Sequence, residues 1–134
     1  MGAEKVVLDT NILISALGWE GKPAEIFNKV LNKEVMLVIS NHQLQELERV
    51  MGYPKFKFTK EEMVTFLDVI RKIAILVDVP GDLHVIKEDH EDDFILESAI
   101  VGKADVIISG DDHLLKLKEY GKVKIMTAAD FLGL

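Results

Sequence analysis

Cysteine is absent from this chain, which also holds only three prolines, two glutamines and one tryptophan. Without cysteine there is no disulfide framework, no thiolate zinc site and no cysteine nucleophile, a composition that suits a reducing compartment. Long apolar runs are missing as well. No stretch approaches the ~18 residues a membrane span needs, and the apolar run after Lys5 is too short for the core of a secretory signal. A cytoplasmic protein without membrane contact is expected. Positive charge is the third shortage. Sixteen Lys and Arg against 23 Asp and Glu leave a formal charge of −7. Taken as a sum, this opposes nucleic-acid binding, which draws on Lys and Arg for phosphate contacts. The excess is concentrated, however. Glu88 to Asp93 holds five acids in six residues, and acids that gather where divalent cations bind are offset by them.

What is present is apolar residue in quantity, 49% of 134 residues. A chain of this length forms one domain, residues 1–134, burying roughly two-thirds of its unfolded surface. Short apolar runs at Val6–Leu8, Val35–Ile39, Ile73–Val77, Val106–Ile108 and Val123–Met126 read as strands. They are continuous rather than alternating, which suits a parallel sheet covered on both faces. Helical spacing lies between them: Ile26, Val30 and Leu31 after Pro23; Leu44, Leu47 and Met51 after a capping box at Ser40–Gln43; Met63, Phe66, Leu67 and Ile70 after Thr59. Asp92–Gly102, Asp111–Lys118 and Thr127–Leu132 complete the set. The alternation predicts an α/β fold with right-handed crossovers and no internal repeat.

In such a sheet, sites form beyond the carboxyl ends of the strands. Asp9 follows Val6–Leu8 directly, and Asp111 follows Val106–Ile108 through Ser109-Gly110. Each also fits a simple turn or helix cap. Asp92 shares a helix face with Ile95, Leu96 and Ala99, so its carboxylate points with the buried stripe and needs a partner. The helix N-terminus is one candidate partner, a bound cation another. Asp93 stands about 100° around the helix and reads as solvated. Glu46 and Glu48 flank the Leu44–Leu47–Met51 stripe on opposite sides, and spacing does not choose between them. Glu88–Glu91 reads as a solvated loop. The four histidines show no paired ligand spacing, though His113 stands close to Asp111. Trp19, Phe56 and Phe58 fit either base stacking or packing. Lys55, Lys57 and Lys60 form the densest basic stretch.

These residues resemble a known family. Val6-Val7-Leu8-Asp9-Thr10-Asn11-Ile12-Leu13 is similar to the opening of a PIN domain, with its Asp-Thr-Asn turn after the first strand. Glu46-Leu47-Glu48-Arg49-Val50, then Tyr53-Pro54-Lys55-Phe56, resembles the second motif of the VapC-like subgroup, toxin components of toxin–antitoxin pairs. Asp89–Ala99 resembles the third motif and Ala104–Asp111, then Leu114-Leu115, the fourth. The ordered set spans nearly the whole chain. Two positions depart from the pattern: His90 stands where the third motif often has Pro, and His113 where an acid often follows the fourth.

The resemblance implies a flavodoxin-like parallel sheet of four to five strands in the order 3-2-1-4-5, with helices on both faces. It implies a metal-dependent ribonuclease whose acids are Asp9, Glu46, Asp92 and Asp111, and it selects Glu46 over Glu48. Asn11 and Ser109 match polar residues beside the first and last acids. A carboxylate cluster suits Mg²⁺ or Mn²⁺ rather than Zn²⁺. The implied roles give Asp9 and Asp111 the principal ion, Asp92 its completion or the positioning of a water, and Glu46 a second ion or its water. Asn11 and Ser109 would orient the carboxylates. Implied partners are RNA, an antitoxin protein and a second copy in a homodimer. Two rival readings stand beside this one. A phospho-receiver switch would use Asp78, after Ile75-Leu76-Val77, as phosphoacceptor, but leaves Asp92 unexplained. A catalytically silent protein-binding module should have lost part of the acid quartet, and all four positions are acidic.

Overall fold

The apolar runs become strands covered by helices on both sides. The structure, a computed structural model, describes residues 3–18, 21–86 and 90–134, and of His90 the backbone alone. Its strands are β1 (Glu4–Leu8), β2 (Val35–Ser40), β3 (Ile75–Val77), β4 (Val106–Ile108), β5 (Glu119–Tyr120) and β6 (Val123–Met126). Its helices are α1 (Thr10–Leu17), α2 (Gly21–Leu31), α3 (Asn41–Met51), α4 (Lys60–Ile73), α5 (His90–Val101), α6 (Asp112–Leu115) and α7 (Ala128–Leu132), with a 3-10 turn at Pro54–Phe56.

The sheet order is β3-β2-β1-β4-β6-β5. The five parallel strands keep the expected 3-2-1-4-5 arrangement, with Val123–Met126 as the fifth; Val7 lies opposite Ile107, and Ile107 opposite Ile125. The sixth strand is the difference. β5 is a two-residue antiparallel edge that returns through Gly121 at φ +59°, too short to carry a periodic signal. Side chains alternate across the sheet. Val6, Leu8, Leu37, Ile39 and Ile108 pack on one face with α1, α2 and α3. Val7, Val38, Ile107 and Ile125 pack on the other with Leu96 and Ala99 of α5 and Leu114 of α6. Each such fully buried side chain stabilises the fold by about 1.5–3 kcal/mol before entropy is charged against it.

Strand ends run straight into helix caps. Asp9, Asp111 and Thr127 follow β1, β4 and β6, Ser40 ends β2, and each accepts an amide proton from the helix it opens. Satisfying those amides with side-chain oxygens gathers polar residues along one edge of the sheet. The capping box expected at Ser40 forms only in part. Ser40 accepts from Gln43 N at 2.9 Å, but the Gln43 side chain donates to Leu8 O at 2.7 Å and ties α3 to β1. Thr59 and Glu62 make the complete reciprocal box. Ile73 closes α4 rather than opening β3, and α6 stops at Leu115, short of Lys118. Helix α5 lies close on β2: a Cβ at Gly102 would stand 2.5 Å from Val38 Cγ1. Phe58 meets Phe66 edge-on at 6.0 Å and, with Phe56, packs against the core. Trp19, Glu88 and Asp89 lie outside the described residues.

Candidate metal centre

One cleft of about 240 Å³ opens at the carboxyl edge of the sheet, and Asp9, Glu46, Asp92 and Asp111 all line it. The four acids come from four places: the end of β1, the middle of α3, the start of α5 and the turn after β4. Thr10, Asn11, Arg49 and Glu91 line it too. Glu48 turns away into a separate groove beside α4. Asp78 is exposed at the end of the edge strand β3 and takes no part.

Asp9 is buried and held by both oxygens. Ile12 N donates to Oδ1 at 2.8 Å, and the Ser109 hydroxyl donates to Oδ2. The Ser109 oxygen, itself fully buried, accepts from Asp111 N at 2.9 Å. Ser109 therefore spaces the first and last acids. Burial pushes the Asp9 carboxyl above its usual range, against the pull of these hydrogen bonds and one from the Gly110 backbone; the Asp111 charge adds to the rise. Asp111 caps α6 through its Oδ1, which accepts from His113 N at 2.7 Å. The capping role and a ligand role coexist, because a carboxylate has lone pairs for both.

Asp92 is buried on the cleft side of α5, as its spacing predicts. Ligand atoms of Asp92, Asp111 and His113 lie within 4.8 Å of one another. His113 thus joins the site at its rim, Nδ1 standing 3.7 Å from Asp111 Oδ1. Asn11 lines the cleft from an exposed position, and among the described residues no hydrogen bond ties it to an acid.

Two neighbours of the quartet were not legible as site residues. Glu91, read as part of a solvated loop, lies in the first turn of α5 and hydrogen-bonds both Glu46 and His42, the latter at 2.8 Å. Its position overturns the loop reading. Burial, and next the hydrogen bond with Glu91, push Glu46 up to about 7, while Thr10, whose hydroxyl donates to Glu46, and His42 oppose the rise. Glu91 moves down, chiefly because Glu46 donates to it. The His42 ring is stacked on Phe94, centroids 3.6 Å apart. His42 and Glu46 stand four residues apart on one helix face, and that spacing was the available signal.

Asp93 also departs from expectation. It is 3% exposed, and its Oδ1 accepts from Val85 N at 2.9 Å and Ile86 N at 2.8 Å. The loop before α5 covers the side of the helix that phase alone would leave in water. Glu97, one turn on, accepts from Gly81 N at 2.9 Å.

The donor set fits a hard divalent cation. Buried carboxylates need compensation, and Arg49 is the one cationic side chain among the described residues lining the cleft. Oxygen ligands from several carboxylates suit Mg²⁺ or Mn²⁺.

Comparison with known proteins places the chain in a family and a fold. Residues 5–113 match the PIN domain family model, a span that contains all four acids. An uncharacterized protein of Methanocaldococcus jannaschii is 25% identical, over 96% of this chain and 89% of its own length. In fold, the chain is similar to a crystal structure of VapBC2 from Rickettsia felis bound to a DNA fragment from their promoter. The TM-score is 0.60 at 18% identity, over 90% of this chain and 96% of that one. On the family match, the chain belongs to the PIN domain family.

Proposed function

We propose that this protein is a metal-dependent endoribonuclease, using Mg²⁺ or Mn²⁺, and the toxin of a toxin–antitoxin pair. The observation that carries the proposal is the convergence of four carboxylates from separate elements on one cleft. PIN domains are generally nucleases, and that supports the reaction class. The VapBC2 likeness supports a toxin with an antitoxin partner.

In this reading Asp9, Asp92 and Asp111 hold the principal ion, and Glu46 a second ion or its water. The bound ion supplies Lewis-acid polarisation of a phosphodiester and a more acidic water. The chain's own residues do the rest. Ser109 fixes the Asp9 carboxylate and the Asp111 backbone together, so that both acids are oriented before the ion arrives. Asn11, exposed at the cleft and among the described residues hydrogen-bonded to no acid, meets the incoming strand. Glu46, hydrogen-bonded to Glu91, would offer its carboxylate to a bound cation once deprotonated. The reaction is in-line attack of water, without a covalent intermediate.

The protein acts in the cytoplasm as a homodimer, an arrangement that joins dispersed lysines into one groove for RNA. Light scattering at about tens of micromolar, a working range for micromolar dimers, checks the dimer; monomer alone removes it. For the reaction, labelled RNAs are incubated with the protein in Mn²⁺, in Mg²⁺ and in EDTA. Internal cleavage only with a divalent ion is the expected result. No cleavage of any RNA with either ion, or equal cleavage in EDTA, overturns the proposal.

A further inference from the structure

The cleft that must admit a polyanion is lined by five acids: Asp9, Glu46, Glu91, Asp92 and Asp111. Cations held by the acids at its floor would offset their charge. At its wall stands Arg49, in the last turn of α3. Arg49 is exposed, and Nη1 donates to the Tyr53 hydroxyl. The guanidinium carbon lies 5.9 Å from the Tyr53 ring centroid. Among the described residues the other guanidinium N–H groups are hydrogen-bonded to nothing. Tyr53 is 39% exposed, so part of its ring is open to solvent beside Arg49. Beyond it the chain turns through Pro54–Phe56 and presents Lys55 and Lys57, both exposed, with Lys55 Nζ 5.0 Å from the Phe56 ring centroid.

Resting on the nuclease reading, we infer that Arg49 and Tyr53 form a nucleotide subsite beside the acids. Arg49 takes the phosphate next to the scissile one, and Tyr53 takes an unpaired base on its ring, with the strand leaving over Lys55 and Lys57. The guanidinium fork matches phosphate oxygens. Its hold on the phenol sets the ring beside the cleft before the strand arrives. A base can lie on an aromatic ring only when it is not paired within a duplex, so this subsite selects single-stranded RNA.

The duller role for the pair is to brace the α3–α4 connection. Substitutions separate the two. Binding of a labelled single-stranded RNA of about a dozen nucleotides, the order of one single-strand site, is followed by fluorescence anisotropy in Ca²⁺. EDTA replaces Ca²⁺ should a gel show cutting. Arg49→Gln is expected to weaken binding about ten-fold and to lower the log–log salt slope by about 0.7, one phosphate contact on a single strand. Arg49→Lys restores the slope. Tyr53→Leu weakens binding about ten-fold with the slope unchanged, as loss of one stacked base requires. Tyr53→Phe stays within about three-fold, because the ring remains. In Mn²⁺ the first and third changes raise KM for cleavage and leave kcat within a few-fold. An unchanged salt slope in Arg49→Gln overturns the inference, as does a Tyr53→Phe defect equal to that of Tyr53→Leu. So does equal competition by duplex RNA of the same length. If the wild-type protein cuts RNA while these variants match it, only the subsite fails. If the wild type neither binds nor cuts RNA, the nuclease reading fails with it.

Discussion

Asp92 and Asp93 are adjacent on α5 yet face different surroundings: Asp92 lines the cleft, while Asp93 accepts the amide protons of Val85 and Ile86. Their substitutions should therefore separate by property. Without metal, Asp92→Asn leaves stability level or raised, since a buried charge has gone. Asp93→Ala lowers it by about 2–3 kcal/mol, the scale of hydrogen bonds to a charged acceptor whose loss strands two amides. Urea denaturation in EDTA reads both. Equal destabilisation by the two would contradict the division of roles.

Ser109 gives a second expectation. Its hydroxyl donates to Asp9 and accepts from Asp111 N. Ser109→Ala frees the Asp9 carboxylate to rotate and should weaken Mn²⁺ binding about 10–100-fold, as is usual when a ligand loses its orienting partner. Calorimetric titration of folded protein measures it. Affinity equal to wild type would mean that the carboxylate is oriented by the Ile12 amide alone.

The metal-free protein should lose stability as pH rises toward neutrality. Burial raises the Asp9 and Glu46 carboxyls, the latter from 4.5 to about 7. A raised folded-state pKa means that the native state holds more protons than the unfolded chain, so stability falls with rising pH across this window. The lowered Glu91 carboxyl acts in the opposite sense, and its contribution fades only at lower, acidic pH. Melting temperatures in EDTA between about pH 4 and 8, a window that brackets the Glu46 shift, should decline for wild type. Glu46→Gln should flatten the decline. A Glu46→Gln profile parallel to wild type would show that another group carries it.

Much of this arrangement was legible in the sequence because it follows from local periodicity. The continuous runs at Val6–Leu8 and Val106–Ile108 gave buried parallel strands, and the spacing of Asp92 from Ile95, Leu96 and Ala99 placed its carboxylate on the cleft side. Contacts between elements were not legible. Glu91 meets His42 and Glu46 only because α5 packs beside α3. Asp93 has the predicted helical phase, but the loop that covers it is irregular, and helical spacing says nothing about such a cover. Glu46 and Glu48 could be told apart only by the family pattern, since both flank the same buried stripe.

The central claim is that the four acids act through a bound divalent ion on RNA, and Asp92 tests it most directly. The substitution Asp92→Asn keeps the shape of the side chain and removes its charge from the cleft. Single-turnover cleavage of a labelled single-stranded RNA at saturating Mn²⁺ isolates chemistry from product release. The account predicts that Asp92→Asn cleaves slower than wild type by orders of magnitude, while circular dichroism and urea denaturation report an intact fold. Cleavage by Asp92→Asn at the wild-type rate under saturating Mn²⁺ would contradict it.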